Sequence, residues 1–185
     1  MKRRFGEVLA QVSPFEIPLI ERRLVVEGIP IDDVLKLCNL HVELFREYLT
    51  GRELSGVPKG HPVDLFIREN GWILKQSEVL GLYSSVLAEA RDAEEGLKRL
   101  QELLSVASGL RASLRGHYRK IQMLAFPYLE RRGIAAVPRV LWSREDQIIV
   151  KLRRFFEEAE KLRESASVER IRRLRELGVE IAREV

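Results

Sequence analysis

Only one cysteine, Cys38, occurs in 185 residues, so no disulfide can form within the chain. It lies in an apolar helical pattern, where a thiol is normally buried and inert. No apolar run reaches the roughly 18 residues needed to cross a bilayer. The start, Met1-Lys2-Arg3-Arg4-Phe5, lacks an apolar signal core and a small-residue cleavage site, so a cytoplasmic location is expected. There is no phosphate-cradling glycine loop, no paired-cysteine metal motif and no nucleophile elbow. Convincing strand alternation is also missing. Neither sign of charge dominates: 32 Lys and Arg meet 28 Asp and Glu, interleaved, for a net charge of +4. A diffuse balance of this kind argues against a nucleic-acid footprint.

What remains is helical. Hydrophobic residues make up 45% of the chain, enough for a core. A short helix is expected over 3–10. Ser13-Pro14-Phe15-Glu16 reads as a capping box with proline in the first turn, opening a helix that stops at Gly28. Asp32 opens another, to about residue 50, with Val34, Leu35, Cys38, His41, Val42 and Phe45 on one stripe. Residues 52–60 read as a loop. His61-Pro62-Val63-Asp64 begins a long helix to about Ala90. Its Gly71 and Gly81 either weaken it or permit close helix packing.

Further helices are expected over 92–106 and 110–131, interrupted at Ser108-Gly109. Gly133 to Pro138 reads as a connection. Ser143 is expected to cap a helix from Arg144 to about Glu164, and Ser167 a last one to about Arg183. Arg170, Arg172, Arg173 and Arg175 cluster there, but Glu169 and Glu176 flank them. That amphipathic end could be a solvated helix or a surface for homo-oligomer formation or a protein partner. The pattern is all-α, most simply a four-helix bundle with small helices at each end.

The three histidines, His41, His61 and His117, fall on three separate helices, near an apolar face or a helix start. Asp64 and Glu69 share a side with His61. Bundle metal sites are built from inward side chains in this way, and imidazole with carboxylate suits iron, manganese or zinc.

These segments carry a resemblance. Val12-Ser13-Pro14, Val26-Glu27-Gly28-Ile29-Pro30, Leu37-Cys38-Asn39-Leu40-His41, Gly60-His61-Pro62-Val63 with Glu69-Asn70, His117-Tyr118, Phe126-Pro127-Tyr128-Leu129-Glu130 and Pro138-Arg139-Val140-Leu141-Trp142 appear in the order seen in hemerythrin-like, HHE cation-binding proteins. The chain resembles most closely the domain-of-unknown-function family 438, without the PAS domain that members often carry. The resemblance implies a hemerythrin-like bundle over 31–164, a helical region over 1–30 and a C-terminal helix over 165–185.

It also implies a di-iron or similar centre, and His41, His61, Glu69 and His117 match its ligand positions. At four other positions the chain departs from the family. Asp64 stands for a histidine and Gln122 for a glutamate. Glu145 stands for a histidine and Gln147 for a glutamate. Asp64 and Glu145 are still oxygen donors, so His41, His61, Asp64, Glu69, His117 and Glu145 form the candidate metal set. Gln122 and Gln147 remove the negative charge that bridges two cations. The expectation is a non-catalytic metal-binding, sensing or scaffold protein, holding one or two irons, another divalent metal, or none. The competing expectation is a working di-iron or mononuclear protein that handles oxygen or nitric oxide. A third is an assembly module acting through the C-terminal helices.

Overall fold

The computed structural model describes residues 16–30, 33, 56–90 and 92–185. The expected helices over 3–10 and 32–50, the Ser13-Pro14 start, Cys38 and His41 lie outside these. The described helices are α1 (Ile17–Val26), α2 (Pro62–Leu87), α3 (Ala93–Lys120), α4 (Phe126–Glu130), α5 (Ala136–Glu164) and α6 (Val168–Glu184). A π-helical turn, Ile121–Ala125, joins α3 to α4. No strand occurs among the described residues. The fold is an all-α, hemerythrin-like helical bundle. No helix among them is long and apolar enough to cross a membrane.

The chain divides into two units, residues 1–57 with 120–144, and residues 58–119 with 145–185. In the first, α1 ends as its glycine requires. Gly28 takes φ +94°, and Ile29 N–H reaches back to Leu24 O at 3.0 Å. This six-to-one bond is the Schellman closure, which needs a left-handed residue. The same closure follows α4, with Gly133 at φ +76° and Ile134 N–H on Leu129 O. Leu24 packs against Ala136 and Val140.

The second unit owes its core to four stripes at helical spacing. They are Ile73, Leu80 and Leu87 on α2; Leu100, Leu103, Ala107, Leu110 and Leu114 on α3; Ile148, Leu152, Phe155, Ala159 and Leu162 on α5; and Leu174, Leu177 and Ile181 on α6. The last of these matters for the C-terminal helix, whose apolar side is buried within its own chain. Small residues let α2 and α6 approach closely. A Cβ on Gly81 would lie 3.1 Å from Ala182 Cβ, as the close-packing reading of that glycine expects. Among the described residues, nothing lies within 4 Å of such a Cβ on Gly71. Across α5 and α6, Lys151 Nζ pairs with Glu180 at 2.6 Å and with Glu184.

Three helix boundaries differ from the sequence expectation. α3 runs unbroken through Ser108-Gly109, because both face solvent while Ala107 and Leu110 beside them are buried. Packing on the buried side outweighs the roughly 1 kcal/mol propensity loss of one glycine. α5 begins at Ala136, not Arg144, and Ser143 lies inside it. Pro138 is in its first turn, where no N–H is needed. The helix does break after Lys120. Pro127 has no N–H, and its ring would collide with the carbonyl four residues earlier, at Met123. The chain widens there by one residue, with Phe126 N–H donating to Ile121 O, and Pro127 enters the first turn of α4. The Ser167 cap is as expected: its hydroxyl accepts from Arg170 N–H at 3.3 Å.

Candidate metal centre

The buried stripe of α3 reads Leu103, Ala107, Leu110, Leu114 and then His117, one residue every three or four. The imidazole is therefore interior by the same periodicity that buries the leucines, and it is 4% exposed. On α2 the stripe runs back from Leu80 through Ser77 and Ile73 to Glu69. On α5 it runs back from Leu152 through Ile148 to Glu145, which is also buried. Three helices thus each end their apolar stripe in a polar residue.

Two of these meet. His117 Nδ1 lies 2.9 Å from Glu69 Oε2. Toward an ionised carboxylate, which can only accept, Nδ1 is the donor of this bond. In a neutral imidazole that leaves the Nε2 lone pair as the donor to anything bound. A carboxylate fixing one ring nitrogen while the other faces a ligand is the usual support for a metal-bound histidine. Phe66 sits edge-on to the imidazole, with ring centroids 5.9 Å apart and planes at 89°. The Tyr118 ring is tilted to it at 54°, with centroids 6.3 Å apart. Burial holds the Tyr118 phenol well above its ordinary pKa, and the Glu145 carboxylate adds to the rise. Tyr118 therefore stays protonated and neutral.

The remaining candidates are placed elsewhere. His61 is exposed at the N-cap of α2, with extended backbone, and its Nδ1 accepts from Val63 N–H at 3.2 Å. Asp64 accepts from Gly60 N–H at 2.9 Å and pairs with Arg68 at 3.2 Å. Both residues stabilise the helix start. Among the described residues, no group of three or more His, Cys, Asp or Glu stands close enough to hold a metal ion. The donors described here do not fit a paired-metal centre. They amount to one oriented imidazole, its supporting carboxylate and a further buried carboxylate on α5.

The Glu69–His117 contact was accessible to sequence reasoning only as two separate ligand candidates. The signal for His117 is that it continues an apolar stripe, and for Glu69 its spacing from His61 together with the resemblance. A second buried carboxylate, Glu158, was missed. It lies three residues after Phe155, on the same side of α5, and binds Lys161 Nζ at 2.9 Å.

Two family models match the chain. The family of unknown function DUF438 matches residues 1–51, and the hemerythrin HHE cation binding domain matches residues 61–183. No curated protein matches it.

Proposed function

The chain belongs to the hemerythrin HHE cation-binding domain family, and on that premise we propose that it is a non-catalytic member with an altered metal site, serving a sensing or scaffold role. The observation that carries this reading is the Glu69–His117 bond of 2.9 Å. It turns one family carboxylate toward orienting an imidazole, so that residue is a poor candidate to bridge two cations. The neutral amides of Gln122 and Gln147 support the same reading, because two metal ions bring a charge of about +4 or more that buried anions must offset. The proposed site keeps one prepared donor, His117 Nε2, and holds at most a single iron or other divalent ion.

Metal analysis of protein purified without chelator, then loaded aerobically with iron, tests the reading. One metal or fewer per chain is the expected result. Two irons per chain with an oxo-bridge absorption band would overturn it.

A further inference from the structure

α2 is apolar on both sides. Its inner stripe fills the core, yet its outer face carries Ile67, Trp72, Leu74, Val79 and Leu82, with Trp72 60% and Leu82 61% exposed. Together these five side chains leave on the order of 450 Å² of mainly apolar surface in water, within the range of the largest patches that monomers carry and that often serve contacts.

The polar residues on this face are arranged to complement themselves. Gly71, Lys75, Glu78 and Leu82 follow one another at helical spacing down its centre. Neither Lys75 nor Glu78 pairs with another described residue, although Arg68 on the same helix is paired with Asp64. If two copies of α2 cross antiparallel about a two-fold axis between Gln76 and Ser77, Lys75 of each falls opposite Glu78 of the other. The same operation sets Leu82 of one copy over Gly71 of the other, which has no side chain and, among the described residues, nothing within 4 Å of its Cβ position. It also brings Trp72 beside Val79 of the second copy. A closed two-fold contact requires this kind of self-complementary patch.

We propose that α2 is the homodimer interface of this protein, with a second copy packed antiparallel on its outer face. The reciprocal Lys75–Glu78 pairs fix the register, and Gly71 admits Leu82. Burying the larger part of this face on both copies, apolar flanks and charged centre together, removes on the order of 1,000 Å² from water, the lower bound for a specific interface. The self-complementary charge pattern favours a second copy over an unrelated partner.

The test is the oligomeric state of the full chain by sedimentation equilibrium. The parent chain is expected to dimerise. Trp72→Glu and Leu82→Glu, both at exposed positions, should give monomers with unchanged helical circular dichroism. Lys75→Glu and Glu78→Lys should each raise the dissociation constant about tenfold or more, since two like-charge contacts replace two ion pairs. The double charge swap should restore the parent value. A monomeric parent chain would overturn the proposal. So would a dimer indifferent to Trp72→Glu and Leu82→Glu, or single charge changes that the swap fails to rescue.

Discussion

Gly178 of α6 packs closely against Ser84 of α2. A Cβ there would meet Ser84 Oγ at 2.0 Å, Ser84 Cβ at 2.8 Å and Phe155 at 3.2 Å. Ser84 is itself fully buried, its hydroxyl donating to Leu80 O at 2.7 Å. Gly178→Ala gains helix propensity but must push the two helices apart, and overpacking of this kind costs about 1–3 kcal/mol. Urea unfolding should show a net loss of stability. Adding Ser84→Ala should recover only part of it, since the serine Cβ remains in the way. Periodicity alone reads Gly178 as a weak point in a helix, because it does not tell which residue of α2 lies opposite. The same limit applied to the candidate site. The inward position of His117 is legible, since it extends an apolar stripe, whereas Glu69 enters only by its spacing from His61 and by the resemblance. Their direct bond depends on how α2 and α3 slide against each other, which no single helix encodes.

Between α5 and α6 a buried carboxylate, Glu158, makes one of the charge pairs, to Arg173. The hydrogen bond from Lys161 holds Glu158 below the usual glutamate range, against the opposing effect of burial. The nearby Arg173 guanidinium, 3.5 Å away, lowers it further. A carboxyl depressed in the folded state adds stability above its unfolded value, about 4.3 for glutamate, and loses it as pH falls through the folded value. Glu158→Gln should therefore be less stable than the parent at neutral pH. The gap should narrow as the solution is acidified through and below the glutamate range. Denaturant unfolding at a series of pH values reads this directly, and a gap independent of pH would remove the carboxylate's charge from the account. Element boundaries were legible where caps decide them, as at Gly28, His61 and Ser167. They were misread where proline and glycine act in context. Pro138 sits harmlessly in a first turn, and Gly109 lies on a solvent face. Pro127 lies inside the helix expected over 110–131, and the π-helical turn that accommodates it falls before the proline and leaves no separate trace in the sequence.

At the scale of the molecule, the open matter is how far the bundle extends along the chain. Sequence patterning sets residues 165–185 apart as a terminal helix, yet α6 lies against α2 and places Leu174, Leu177 and Ile181 in the shared core. Burying three such side chains contributes on the order of 6 kcal/mol. The whole stability of a domain is typically about 5–15 kcal/mol. Removing α6 also strips Lys151 and Glu158 of their α6 partners, Glu180, Glu184 and Arg173. A chain ending at Ser165 should therefore lose much more helicity than the 17 residues of α6 account for, together with its cooperative thermal transition. Far-UV circular dichroism with a thermal scan decides this. If the shortened chain keeps a sharp transition and loses helicity only in proportion to its length, α6 is an appendage and the core of α2, α3 and α5 is self-sufficient. The result also bears on self-association. A shortened chain that unfolds says nothing about an interface, whereas the outer face of α2 can be changed without touching the core.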